Sequence, residues 1–159
     1  MALFLSRSIH KVDKKGRVSV PHGFRTVLGG AMDEGLALNV PLSGLACIEA
    51  YPFAKLEERI ARIDRLNPDA ADTQAVAYQW FGSMHVATFD GEGRIVLPDF
   101  LMDHASISDS ATFVGMGRYF TIWDGKTLAE HDPVARAQAR ESIDRVPLAG
   151  QGAGTERRE

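Results

Sequence analysis

The stretch DKKGR, from Asp13 to Arg17, sets one carboxylate, three cations and a glycine within five residues. Lys14, Lys15 and Arg17 on a single turn form a compact cationic knuckle. The chemistry open to such a group is recognition of phosphate. Each lysine offers a point charge, and the arginine fork can take a phosphate or a guanine edge in a paired contact. Neutralising phosphates releases condensed counterions, so binding of this kind weakens steeply with salt. Arg7, His10, Lys11 and Arg25 flank the knuckle and extend the same chemistry.

The charge distribution agrees. The 159 residues carry a formal net charge of -3, which does not announce a polyanion binder. Residues 1–30, however, hold six cations against the single acid Asp13, a local +5, so the remaining 129 carry -8. A basic segment on an acidic body suits a protein that meets an anion through one surface. Chance clustering on a solvated surface gives the same count.

Other chemistries find little support. His10, His22, His85, His104 and His131 show no metal-ligand spacing. The chain has no glycine-rich phosphate loop and no G-x-S-x-G elbow. The single cysteine, Cys47, excludes an intramolecular disulfide, and its apolar surroundings LACIEAY suit a small buried hydrophobe. The expectation is no enzyme, no cofactor, no metal and no small-molecule substrate. ALFL near the start is too short for a signal-peptide core, and no run approaches the ~20 apolar residues of a membrane span. A cytoplasmic protein without membrane association is expected.

The elements that must position the knuckle occur twice. DKKGRVSVP (13–21) returns as DGEGRIVLP (90–98), an offset of 77 that matches Asp13 with Asp90, Gly16 with Gly93, Arg17 with Arg94 and Pro21 with Pro98. At an offset of 72, CIEAYPFAKLEE (47–58) lies over YFTIWDGKTLAE (119–130), pairing Tyr51 with Trp123 and Leu56 with Leu128. Two blocks in the same order make an internal repeat.

Each copy reads as an approach strand, a charged turn, an alternating strand ended by proline, a short helix, two more strands and closing helices. Gly16 and Gly93 suit a turn backbone that other residues resist. Asp13 and Asp90 read as structural braces of the turns, and Arg94 serves equally well as partner of Asp90 or as an anion contact. Phe53, Leu56, Ile60, Ile63 and Leu66 make one helical stripe that ends at Asn67-Pro68. ADTQAVAYQWF (71–81) predicts a linking helix, capped by Asp72 or Thr73. Pro133 predicts a break or a new first turn in the last helical stretch. Trp80, Phe81, Tyr119 and Trp123 sit in apolar runs and suit cores or subunit interfaces.

The fold class expected is α+β, mainly β: two intertwined, pseudo-symmetric copies forming a small sheet or barrel, with helices outside. The divisions expected are 1–66 for the first repeat with its closing helix, 67–82 for a linking helix, 83–145 for the second repeat and 146–159 for a flexible tail.

Over about residues 4–130 the sequence resembles the MraZ family. The resemblance rests on the two Asp-x-x-x-Arg units, DKKGR and DGEGR, each followed by a strand and proline, and on GFR (23–25), YQWFGS (78–83) and VGMGRYFTIW (114–123). It implies an AbrB-like fold in which swapped-hairpin units form one double-psi-type β-barrel per chain. It implies a bacterial transcriptional regulator, nucleoid-associated, that binds repeated boxes in double-stranded DNA at the promoter of the division and cell-wall gene cluster. It also implies a ring-shaped homo-oligomer, with Arg17 and its basic neighbours facing DNA. This chain departs from an equal pair, because Gly91 and Glu92 stand where the first unit has Lys14 and Lys15. The competing expectation is a non-enzymatic assembly module whose basic face binds an acidic protein partner. A one-repeat antitoxin of AbrB type is disfavoured by the two copies.

Overall fold

A computed structural model describes residues 3–145. The expected flexible tail, 146–159, lies outside the described residues.

The chain order realises the repeat. The first copy holds β1 (Arg7–Lys11), β2 (Arg17–Ser19), α1 (His22–Leu28), a 3-10 helix (Gly29–Glu34), β3 (Leu36–Asn39), β4 (Ile48–Tyr51) and α2 (Phe53–Asp64). After α3 (Ala71–Gly82) the second copy gives β5 (His85–Ala87), β6 (Arg94–Val96), α4 (Asp99–Ala105), β7 (Ser110–Gly115), β8 (Phe120–Trp123) and α5 (Gly125–Ser142). Pro21, Pro52 and Pro98 stand immediately before α1, α2 and α4. Proline fits there because a helix's first N–H groups have no intrahelical partner, and its fixed φ ends the strand before it. The carbonyls of Pro21 and Pro98 each accept two N–H groups of the helix that follows.

The two copies exchange strands. A six-stranded sheet has the order β1-β7-β8-β4-β3-β5, and β2 pairs with β6 in a separate two-stranded ribbon. All pairings are antiparallel. The first copy's β1 thus lies on the second copy's β7, and the second copy's β5 lies on the first copy's β3. The sheet order reads the same when the copies are interchanged, which is an approximate two-fold.

The main core draws on both copies at once. Val18, Val20, Phe24 and Leu36 of the first meet Ile95, Leu97, Phe113 and Phe120 of the second. Two satellite clusters sit under the closing helices: Tyr51, Leu56 and Trp80 beneath α2 and α3, and Cys47, Trp123 and Leu128 beneath α5. Burial pushes the Cys47 thiol up to about 12, so it is an apolar filler that no ordinary pH ionises.

Two local expectations fail. Pro133 does not break the last helix, since α5 runs through it. Asp124 caps the helix start by accepting from Thr127 N–H, Leu128 is buried, His131 stacks on Trp123 at 4.9 Å, and Asp132 bonds Arg7. These contacts hold the turn before the proline in place. The α3 start carries no side-chain cap: its N-cap residue is Ala70, and Asp72 lies in the first turn instead. Of the aromatic residues expected in cores or subunit interfaces, Trp80 is fully buried and Phe81 is 41% exposed on the single chain.

Candidate nucleic-acid interface

The ribbon β2–β6 carries the candidate site. Its register sets Arg17 opposite Val96, Val18 opposite Ile95 and Ser19 opposite Arg94. Side chains alternate across a strand, so burying Val18 and Ile95 turns Arg17, Ser19 and Arg94 onto the other face. Strand pairing therefore brings the signature arginines of both repeats to one surface.

Each charged turn is braced by its aspartate. Asp13 Oδ1 accepts the N–H groups of Lys15 and Arg17, both at 2.9 Å, and Oδ2 accepts Arg17 Nε at 2.6 Å. Asp90 repeats the frame, taking Glu92 N–H at 2.9 Å, Arg94 N–H at 3.0 Å and Arg94 Nε at 2.8 Å. The backbone N–H of Arg17 is the largest cause holding the Asp13 carboxyl below its usual range, and that of Arg94 does the same for Asp90. Each brace takes Nε and leaves the two terminal nitrogens of the guanidinium outside it.

The glycines are required. Gly16 has φ +78° and a Cβ there would stand 2.7 Å from the Leu97 carbonyl oxygen. That approach lets Leu97 N–H donate to the Gly16 carbonyl at 2.8 Å. Gly93 has φ +74°, and its carbonyl accepts Val20 N–H at 3.2 Å. Each turn is thereby tied to the strand end of the other repeat.

Around the first turn lies an open depression of about 410 Å³ lined by Lys11, Lys14, Arg17, Ser19 and Arg94. Lys15 is exposed on the same knuckle. Of the expected site residues, the fold unites Lys11, Lys14, Lys15 and Arg17, and adds Arg94 from 77 positions away. It engages the other three elsewhere. Arg7 makes a bidentate pair with Asp132 of α5, at 2.8 and 2.9 Å. Arg25 Nε donates to the Val20 carbonyl at 3.0 Å, and the guanidinium packs against Gly93. His10 is half-buried, edge-on to Phe113 and hydrogen-bonded with Ser8 Oγ; burial, then the Arg25 charge, depress its pKa. Ser19 was legible only as the alternate position after Arg17. Asp132 had no sequence signal, being 125 residues from its partner.

Known proteins extend this picture. The chain is 38% identical over 157 residues to the "Transcriptional regulator MraZ" of Gluconacetobacter diazotrophicus, covering 96% of this chain and 95% of that protein. It belongs to the MraZ family. The proteins of the same name from Rickettsia akari and Rickettsia typhi are 38% and 39% identical over 141 residues, 89% of this chain and 94% of each. The family model described as "MraZ protein, putative antitoxin-like" matches residues 81–140. That match runs from the end of α3 into the second copy and includes DGEGR. Coverage of nearly the whole chain by full-length MraZ relatives includes both Asp-x-x-x-Arg turns.

Proposed function

We propose that this chain is a sequence-specific, DNA-binding transcriptional regulator and not an enzyme. The observation that carries the reading is the braced cationic knuckle, with Lys11, Lys14, Arg17 and Arg94 around one open depression. Lysines there neutralise phosphates, and the outward Arg17 fork suits a guanine edge. The relatives' name, transcriptional regulator, supports the same conclusion.

The finer reading follows from the family resemblance. The target is double-stranded DNA at the promoter of the bacterial division and cell-wall gene cluster, and the place of action is the cytoplasm, at the nucleoid. The strand exchange between copies supports an AbrB-like, swapped-hairpin barrel. One ribbon offers few contacts, so a ring-shaped homo-oligomer that places several ribbons on repeated boxes gains affinity through effective concentration.

A gel shift of the full chain on its own upstream region, run across a salt series, tests the proposal. A specific shift that weakens steeply with salt is expected. No shift, or a flat salt response, favours an acidic protein as the partner.

A further inference from the structure

The two turns share one backbone frame and differ in charge. Lys15 and Glu92 are equivalent: each gives its N–H to the bracing aspartate at 2.9 Å, and each is exposed. The first turn, with Asp13, Lys14, Lys15 and Arg17, carries +2. The second, with Asp90, Gly91, Glu92 and Arg94, carries -1. The frame does not need the Glu92 carboxylate, because a lysine serves in the same place.

The carboxylate does touch one thing. Glu92 Oε2 lies 3.6 Å from Arg94 Nη1, a nitrogen that the Asp90 brace does not use. The Glu92 side chain is 74% exposed and Arg94 only 28%. An anion approaching Arg94 therefore meets Glu92 at its rim. The antiparallel ribbon sets the second turn at the opposite end from the first, so a polyanion laid along β2–β6 runs from a positive turn to a negative one.

We propose that Glu92 is a specificity-determining residue that occupies Arg94 and so competes with phosphate for it, which weights each chain's grip on DNA to its first turn. This rests on the DNA-binding reading above. A symmetric, doubly basic ribbon would raise affinity for any duplex, since phosphate contacts carry no sequence information. Glu92 holds that term down and leaves discrimination to Arg17.

The test titrates the full chain with two labelled duplexes, its own upstream region and a scrambled sequence, over a salt series. Glu92→Gln is expected to tighten binding to both by about twofold, and Glu92→Lys by roughly three- to tenfold at low salt. The salt slope of Glu92→Lys should steepen by about one, and its preference for the upstream duplex should fall. The gain of Glu92→Gln should vanish when Arg94→Ala is added. Affinity and slope unchanged in Glu92→Lys, with wild type binding and the variant melting normally, overturn the proposal. So does a gain that persists without Arg94, which makes Glu92 a long-range charge only. A wild type that binds neither duplex removes the DNA-binding reading itself, a distinct result.

Discussion

Arg25 fills the space that a Gly93 side chain would need: a Cβ on Gly93 would stand 2.5 Å from Arg25 Nη1. The two residues belong to different repeats. At the equivalent place, Met102 Sδ lies 3.5 Å from where a Gly16 Cβ would stand. Each repeat's short helix thus backs the other repeat's charged turn. The knuckle is held by its own aspartate from within and by the opposite copy from behind.

This relationship ranks two glycine substitutions. Both positions have positive φ, a strain of about 1–2 kcal/mol for alanine. At Gly93 the obstacle is a flexible arginine that can move. At Gly16 it is the Leu97 backbone carbonyl. Gly16→Ala should therefore be the more destabilising in urea unfolding, by at least about 1 kcal/mol over Gly93→Ala. Equal costs, or the reverse order, contradict the packing described.

The braces predict a pH dependence. Asp13 and Asp90 titrate below the ordinary 3.8 in the fold. A depressed folded pKa contributes stability that is present above that ordinary value and is lost as pH falls through the folded one. In melting curves from pH 7 to pH 2, the double variant Asp13→Asn, Asp90→Asn should melt below wild type at neutral pH. The gap should narrow progressively as pH falls below about 4. A gap that stays constant to pH 2 excludes the carboxylate charges as its source.

Trp80 ties the linking helix to the first satellite core, edge-on to Tyr51 with ring centroids 6.2 Å apart. Its Nε1 is buried and has no hydrogen-bond partner among the described residues. Trp80→Ala should cost about 3–5 kcal/mol in denaturant unfolding. Trp80→Phe loses volume but also the unpaired donor, and should cost clearly less. A Trp80→Phe variant as unstable as Trp80→Ala shows that the indole donor does have a partner.

The local half of this architecture was readable in the chain. Helices 22–28 and 99–105 follow directly from Pro21 and Pro98, and the aspartate braces follow from the repeated Asp-x-x-x-Arg spacing. The short helix 29–34 was not, because GGAMDE opens on two glycines, which are poor helix formers. Alternation in RVSVP and RIVLP assigns faces, but it cannot say that Arg17 and Arg94 end on one surface. That depends on β2 meeting β6. Arg7 and Arg25 counted as cations of the knuckle in the sequence, whereas tertiary contacts give each a bond elsewhere. Propensity placed a break at Pro133, and packing against Trp123 and Arg7 overrode it.

The occupied and open cations should separate in binding. Lys14→Ala should reduce the salt slope by about one and weaken binding to all duplexes alike. Arg7→Ala should change affinity less than about twofold, because its guanidinium is committed to Asp132. Its effect on melting should also be small, since an exposed pair contributes at most about 1 kcal/mol. An Arg7→Ala loss as large as that of Lys14→Ala would place the Arg7 end of β1 in the interface.

The most direct measurement is DNA affinity of Arg17→Ala beside wild type, on the upstream duplex, with molar mass and melting temperature recorded in the same buffer. Arg17 lies on the ribbon face, with Nε on Asp13 and its outer end open to the depression. A loss of roughly tenfold or more is expected, with mass unchanged and the protein still folded. Unchanged affinity in a folded Arg17→Ala protein contradicts it.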